Sequence, residues 1–307
     1  MKIEKEDEVP KLANKKRLLI ILALLAIVIL GVLVFSTRRV VYQRSPDDAI
    51  VTFLASVYPF PAVKVGSMSI SMKDYLIEHR VLKSSFDSIQ DQEPPAPDQL
   101  QELILQTLIN KRVIAKFAKD YNVVVSNEHV EEYYKQSIAG EESEEGVAQE
   151  LQDTFGWTIA DFKKRVIEPI VLALDTNKAI VSNELVQSER RTLIDSANQR
   201  VKQGEDFTIV AKETMEPLGL TENDLGFFKV SALPDEWRDI IDARAQGEIT
   251  EVLESDSVFV FFLVSERIVA GEDTQVHLMS VTVPKKSLED LVREYIANVE
   301  IKRYIGT

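Results

Sequence analysis

The sequence contains no cysteine and only three histidines among its 307 residues. The absence of cysteine excludes disulfides, thiol nucleophiles, zinc–thiolate sites and iron–sulfur clusters. The three histidines, His79, His129 and His277, are not spaced as in a zinc-binding motif such as HExxH. We therefore expect neither a cofactor nor a metal site.

The sequence also lacks the motifs of phosphate and nucleotide chemistry. It has no phosphate loop, no dinucleotide fingerprint and no nucleophile elbow, so nothing indicates a kinase, a dehydrogenase or a hydrolase. Acidic residues outnumber basic ones, with 50 Asp and Glu and 36 Lys and Arg, and the net charge is -14. Binding to nucleic acid needs basic patches that neutralise phosphates, and we therefore expect no nucleic-acid partner.

The longest apolar segment is Leu18–Phe35, with 18 consecutive residues that carry no charge. A helix that spans the bilayer needs about 17–25 such residues, so the segment is long enough. A cleaved signal peptide is the alternative, but its apolar core usually has about 7–15 residues and precedes a cleavage site of small residues. Ser36–Arg39 follows here instead. We predict an uncleaved transmembrane helix over residues 18–36, in contact with membrane lipid.

The orientation of this predicted helix follows from the basic residues on either side of it. Cytoplasmic flanks carry the excess of Lys and Arg, and the N-terminal flank holds the slight excess here. We predict a cytoplasmic tail over residues 1–17, a single span in the cell membrane, and extracytoplasmic domains after it. The basic residues are Lys11, Lys15, Lys16 and Arg17 before the apolar segment, and Arg38, Arg39 and Arg44 after it.

The rest of the chain mixes helical and strand patterns. Leu100–Ala118 has apolar residues at helical spacing, and Lys286–Ala297 is amphipathic. Leu253–Val264 and Gln275–Val283 are rich in β-branched and aromatic residues, which favours strands. The predicted fold class is α+β, with a transmembrane helix, a mostly helical domain and an α/β domain. The acidic segment Gly140–Glu150 lacks the spacing of a calcium loop, and we interpret it as a solvated loop or helix start.

A series of motifs in the second half resembles a known family. In order and spacing, residues 195–267 resemble a parvulin-type (PpiC-like) peptidyl-prolyl cis-trans isomerase domain. Each motif is weak alone, and the specificity lies in their order. The motifs are Gly204–Phe207, Val210–Glu213, Asp224–Phe228, Leu233–Pro234, Gly247–Val252 and Val258–Val264.

The first half resembles the N-terminal chaperone domain of SurA-like and PrsA-like foldases. Ala62–Gly66, followed by Ile70 and Asp74, is similar to the strand–turn–helix that opens that domain. The later helical pattern also matches, with Leu108, Ile109, Val113 and Ala118, although the glycine of the family is absent and Asn122 is nearest to it.

The resemblance implies two domains after the predicted span. A SurA-like chaperone domain would cover residues 45–190 and be completed by residues 286–305, and a parvulin-like domain would cover residues 191–284. Parvulin domains begin with a strand that is not found before residue 195, whereas Val276–Val281 comes afterwards. We therefore expect a circularly permuted domain in which the late strand takes the place of the first.

The resemblance also implies site residues. His277 matches the histidine of the first strand and is the catalytic candidate, although a lone histidine in a strand is more often core or surface. The polar positions of the family are replaced: the Asp or Cys falls near Pro217, the methionine at Ala232 and the last-strand histidine at Phe259, while Trp237 loosely matches the aromatic. For both Trp237 and Phe259, a place in the core is favoured over a place in the site. The expected substrate-binding residues are Phe227, Ala232, Leu233, Trp237, Phe259 and Met279.

Together with the predicted span, the resemblance implies a membrane-anchored extracytoplasmic foldase. Its partners would be unfolded or newly exported polypeptides with proline-containing segments, and its isomerase activity would be weak or lost. The alternative is a non-catalytic holdase or membrane-complex scaffold that uses the parvulin fold only to bind peptides.

Overall fold

The computed structural model shows a chain of helices with two small antiparallel sheets, which confirms the predicted mixture of helical and sheet structure. It divides into two compact units. The first holds residues up to Arg112, Gln152–Gly156 and the residues from Val299 onward; the second holds Val113–Leu151 and Trp157–Asn298. The predicted domain boundaries at residues 190 and 284 differ from these and stay a prediction. The structure describes residues 24–25, 32, 34–88, 94–138, 143–269 and 274–305.

The first unit is built around a three-stranded sheet with the order β2-β1-β7. Strand β7, near the end of the chain, pairs antiparallel with β1, so that Val63 lies opposite Arg303 and Val65 opposite Ile301. Its elements are a helix over residues 34–43 (α1), α2 (Ala49–Val57), β1 (Pro61–Val65), β2 (Met68–Ser71), α3 (Met72–Ser88), the start of α4 (Pro97–Asp120) and β7 (Ile301–Arg303).

The core of the first unit forms between this sheet and its helices. Val51 of α2, Val63 and Val65 of β1, and Ile104 and Leu105 of α4 are fully buried. Alternate residues of a strand face one side of a sheet, which explains why Val63 and Val65 share the core side with one residue between them.

Helix α4 starts earlier than the apolar periodicity predicts. It begins at Pro97, three residues before the predicted start at Leu100. Proline is well tolerated in the first turn of a helix, because the N–H that it lacks has no partner there. The acidic segment Gly140–Glu150 is interpreted from its sequence as a loop or helix start, and α6 begins within it, at Glu144.

The second unit contains a four-stranded antiparallel sheet with the order β3-β6-β5-β4. Strand β6 therefore lies between β3 and β5, although it follows both in the sequence. The elements are α5 (Asn127–Ile138), α6 (Glu144–Phe155), α7 (Ile159–Phe162), a π-helical turn (Lys163–Ile167), α8 (Glu168–Val181), α9 (Glu184–Lys202), α10 (Phe207–Met215), β3 (Asp224–Lys229), α11 (Asp235–Asp242), β4 (Leu253–Glu254), β5 (Val258–Ile268), β6 (Gln275–Pro284) and α12 (Leu288–Asn298).

The first seven residues of β5, Val258–Val264, are all apolar, because both faces of the strand are covered there. Phe259 and Phe261 pack in a cluster with residues of α9 and α10, including Ile194 and Val210. The alternate residues Val260, Phe262 and Val264 pack in a second cluster, with residues of α11 and the turn before it. A strand that is buried on both faces reads as a continuous apolar run rather than an alternation.

The helical stretch before Ser182 changes its geometry close to Pro169. Lys163–Ile167 forms a π-helical turn, and the N–H of Glu168 donates to the carbonyl oxygen of Lys163, five residues earlier. Proline has no N–H to continue the α-helical ladder, so a local change of hydrogen-bond pattern before it is expected.

Among the residues that the structure describes, no helix is both long enough and apolar enough to cross a bilayer. Most of the predicted span over residues 18–36 lies outside the described residues.

Candidate functional site

His277 is the centre of the candidate site and lies on β6 opposite Phe227 of β3. The two rings meet edge to face, with centroids 4.7 Å apart and an interplanar angle of 65°. The His277 side chain is 19% exposed, whereas Phe227 is 47% exposed. The pair therefore joins a partly buried polar ring to an aromatic surface that a ligand can reach.

Both ring nitrogens of His277 have partners. Nδ1 lies 2.5 Å from Oγ of Ser265, and Nε2 lies 3.1 Å from Oδ1 of Asp224. The Ser265 hydroxyl is also 3.1 Å from the main-chain oxygen of His277, to which it donates. Two polar contacts on opposite sides of the ring fix its orientation. Because the Ser265 hydroxyl contacts both Nδ1 and the main-chain oxygen of His277, we assign it to positioning the ring rather than to nucleophilic attack.

The local sequence around Asp224 explains how its carboxylate reaches the histidine. Gly226 has φ +79°, and its N–H donates to Oδ1 of Asp224 at 3.0 Å. The pairing of β3 with β6 is irregular between these two residues, as in a β-bulge. Glycine adopts positive φ without steric cost, and a bulge redirects the side chains beside it. The Asp-Leu-Gly motif of the parvulin resemblance thus places an acceptor beside His277.

Strand β3 exposes several apolar side chains next to His277. Leu225, Phe227 and Phe228 are 41%, 47% and 38% exposed. Within the described part of the chain, β3 pairs only with β6, and it therefore forms an edge of the sheet. An edge strand with exposed aromatic residues can bind an extended chain segment through its side chains and its free backbone groups.

The other predicted site residues are divided between the two faces of the sheet. Leu233 is buried and Trp237 packs against Phe262 at a centroid distance of 5.3 Å, both on the α11 side. Phe259 is buried on the side of α9 and α10, and Met279 packs against the same cluster. Of the six, Phe227 packs its ring against that of His277.

Two further positions of the predicted site lie in short turns. Ala232 ends the 3-10 turn Val230–Ala232 and is exposed. Pro217 lies in the 3-10 turn Glu216–Leu218 and is exposed as well. Neither residue has a polar side chain that would join the hydrogen bonds of His277, and the roles of both stay predictions.

Phe259 borders a separate cavity of about 430 Å³. The Arg191 guanidinium and the Lys285 ammonium lie 5.4 Å and 5.2 Å from its ring centroid. Both cations also pair with Glu254, at 3.1 Å and 2.7 Å. Lys285 is nearly buried, and its pairing with a carboxylate offsets the cost of removing the charge from water. The two cations beside Phe259 thus share one carboxylate.

The sequence interpretation missed Ser265 and Asp224 as site residues. A signal for Ser265 exists in the hairpin of β5 and β6, whose register places Glu266 opposite His277. Counting residues back from the turn along the two adjacent strands predicts which residues lie opposite each other, here to within one residue. The signal for Asp224 is the Asp-Leu-Gly motif itself, which the resemblance used only as a family marker.

The described residues contain no group of three or more His, Cys, Asp or Glu side chains that could hold a metal ion.

Comparison with known proteins finds matches to two family models along the chain. Residues 11–152 match the SurA-like N-terminal domain, and residues 170–266 match the PPIC-type PPIase domain. The second match ends before β6 and so does not include His277. Foldase protein PrsA of Halalkalibacterium halodurans is 23% identical over 230 residues, which are 65% of this chain and 68% of that protein. These matches agree with the predicted resemblance of the chain to SurA-like and PPIC-type domains, and they show its similarity to a foldase.

Proposed function

We propose that the protein is a membrane-anchored extracytoplasmic foldase that binds proline-containing segments of unfolded or newly exported polypeptides. The observation that carries the proposal is the fixed His277 ring beside the exposed Phe227, in a chain that matches both the SurA-like and the PPIC-type families. The phenyl ring of Phe227 supplies an apolar contact for a prolyl ring, and the His277 ring, held by Ser265 and Asp224, packs against the phenyl ring.

Isomerisation of a prolyl bond places modest demands on such a site. The rotation barrier of an amide is about 18–20 kcal/mol, and X–Pro bonds isomerise over tens to hundreds of seconds. A catalyst needs only to bind the twisted amide more tightly than the planar one, and no nucleophile or cofactor is required. Because the positions at Pro217, Ala232 and Phe259 add no polar group around His277, we propose that isomerase activity is weak or lost.

The second candidate is a holdase or membrane-complex scaffold without catalysis. The exposed Leu225, Phe227 and Phe228 favour it, since an accessible apolar strip is sufficient to hold extended segments. The division of the predicted site residues between two faces of the sheet favours it as well, because catalysis needs them together.

The proposed anchor is the apolar segment Leu18–Phe35, and the proposed orientation places residues 1–17 in the cytoplasm. Its support is the length of the apolar segment and the distribution of basic residues. Flotation of the full chain with lipid vesicles tests the anchor independently of the folding assays.

A proline-limited refolding assay and an aggregation-suppression assay on the same sample of the full chain distinguish the two candidates. Faster refolding at catalytic amounts, lost in His277→Ala, would support the isomerase. Suppressed aggregation at equimolar amounts without faster refolding would support the holdase. His129→Ala is the matched control, because His129 is an exposed histidine that pairs with Asp175 at 3.2 Å. A chain inactive in both assays would contradict the proposed function.

A further inference from the structure

Helix α2 presents an unusual surface for a helix of the first unit. Its nine residues, Ala49–Val57, carry no charge. Ile50, Phe53 and Val57 are 50%, 64% and 55% exposed, and their spacing of three and four residues places them on one side of the helix. Val51 and Ala55 are buried in the unit on the other side.

An exposed helix face is normally polar, and a helix that is apolar all round is normally covered on every side. Here three large side chains on the outer face are open to the surroundings, whereas the inner face is already packed. The outer face therefore has the character of a surface that contacts an apolar medium or partner.

Helix α1 holds this unit close to the predicted span. Val41 is fully buried, and the hydroxyl of Tyr42 donates to the main-chain oxygen of Pro61 at 2.7 Å. The Tyr42 ring also lies 6.4 Å from that of Tyr304, centroid to centroid. Phe35, at the end of the predicted span, is seven residues before Tyr42. At 1.5 Å per helical residue, that separation is only about 10 Å.

Charges around α2 also suit a lipid surface. Arg38 and Arg39 are exposed on α1, between the predicted span and α2. The two acidic residues before α2 are neutralised, because Asp47 pairs with Lys83 at 2.8 Å and Asp48 pairs with Arg44 at 3.1 Å. Basic residues that lie close in the sequence to an exposed apolar helix favour its contact with anionic lipid.

We propose that α2 lies on the membrane surface, with Ile50, Phe53 and Val57 inserted at the boundary of the lipid headgroups and acyl chains. The proposal rests on the membrane anchor of the proposed function, because the anchor brings α2 within reach of the lipid. The bound surface is a lipid bilayer rather than a client polypeptide, since α2 is fastened through α1 next to the point where the chain leaves the predicted span.

The absence of cysteine allows a direct test with the full chain. Phe53→Cys and, separately, Val57→Cys are labelled with an environment-sensitive fluorophore and reconstituted in vesicles of phosphatidylcholine and phosphatidylglycerol. The matched control is Val124→Cys, because Val124 is 87% exposed and lies outside α2. We expect brominated acyl chains to quench the labels at positions 53 and 57 several-fold more than the label at position 124. Aqueous iodide should quench the labels at positions 53 and 57 less than the label at position 124.

Each outcome has a defined meaning. One outcome would overturn the proposal and leave the anchor intact. In it, the protein floats with the vesicles, iodide quenches the label at position 53 as strongly as the label at position 124, and brominated lipid does not quench the label at position 53. A label at position 53 that is shielded only after an unfolded client is added would also overturn it and assign the face to client binding. A chain that fails to float would remove the anchor and this proposal together.

Discussion

At the scale of single residues, the candidate site depends on three side chains that are far apart in the sequence. Ser265 and Asp224 hold the two ring nitrogens of His277, and the bulge at Gly226 places the Asp224 carboxylate. Neither positioning residue needs to touch a substrate, since each acts by fixing the direction of the ring. The free energy of such a contact is modest, and its removal should weaken the site without unfolding the domain.

Ser265→Ala removes the partner of Nδ1 and allows the His277 ring to rotate. We expect the binding of a fluorescent proline-containing peptide to weaken about twofold to tenfold, the effect of losing one hydrogen bond. The His277 ring resonances should broaden or shift in the NMR spectrum of the variant, which a purely structural defect elsewhere would not cause. Ser231→Ala, at an exposed serine, is the control. Unchanged binding and an unchanged ring spectrum would show that Ser265 does not position His277.

His79 provides a pH-dependent contribution to the stability of the first unit. Its side chain is 13% exposed, and burial holds its pKa below the usual value of a histidine, although the Asp47 carboxylate at 3.8 Å opposes the shift. The unfolded chain therefore binds a proton more readily than the folded one, and stability falls as the pH drops below about 6.5. His79→Gln should reduce this loss between about pH 7.5 and about pH 5.5.

Thermal unfolding of the full chain in detergent at both pH values checks this expectation. His129→Gln is the control, because the His129 side chain is 56% exposed. If His79→Gln and the parent chain lose the same stability on acidification, burial of His79 does not contribute to the pH dependence of stability.

At the scale of elements, the family motifs act as helix and strand boundaries. Gly204, with φ +93°, ends α9, and the Asp206 carboxylate accepts from the N–H of Ile209 at 3.0 Å to begin α10. Phe207 then packs in the hydrophobic cluster that β5 forms with α9 and α10. A glycine in the left-handed region and an aspartate cap are strong local signals, so this boundary is readable from the sequence.

Truncation after Asn298 removes β7, which pairs with β1 at one edge of the first sheet. The loss includes the buried Ile305, the bond from the Tyr304 N–H to the Ala62 oxygen, and the ion pair of Arg303 with Glu102. We expect faster hydrogen exchange of the β1 amides and a lower unfolding temperature of the first unit.

Arg303→Gln is the control for this truncation, because it removes the exposed ion pair alone, which is worth about 0–1 kcal/mol. Hydrogen exchange measured by mass spectrometry compares the two variants with the parent chain. Unchanged protection of Pro61–Val65 in the truncated chain would mean that β7 does not stabilise the sheet.

At the scale of the whole molecule, the order of elements in space departs from their order in the sequence. Strand β6 lies between two strands that precede it, and β7 returns to a sheet formed near the start of the described chain. The permutation and the domain boundaries at residues 190 and 284 stay predictions, since the two compact units are divided differently.

A proline-containing peptide should stabilise the second unit, because the candidate site lies entirely within it. At a peptide concentration of ten times the Kd, the stabilisation is about 1.4 kcal/mol. Hydrogen exchange with and without peptide should show increased protection of β3 and β6, and His277→Ala should abolish the increase. Protection confined to the first unit would place the binding surface elsewhere.

Much of this architecture is predictable from the sequence because the signals are local. The helix over Leu100–Ala118, the strands around Val258–Val264 and Gln275–Val283, and the mixed fold class depend on periodicity within short segments. The start of α4 at Pro97 and the π-helical turn before Pro169 were less predictable, because they depend on how backbone hydrogen bonds rearrange around proline.

The sequence by itself determined the helix and strand segments, their caps and the resemblance to two families, since these depend on neighbouring residues and on motif order. Only the tertiary structure decided which side chains meet. The neighbours of His277 follow from the pairing of β6 with β3 and β5, whose registers are long-range properties. Alternation along β5 places Phe259 on one face of the sheet and Phe262 on the other, and Trp237 of α11 packs against Phe262.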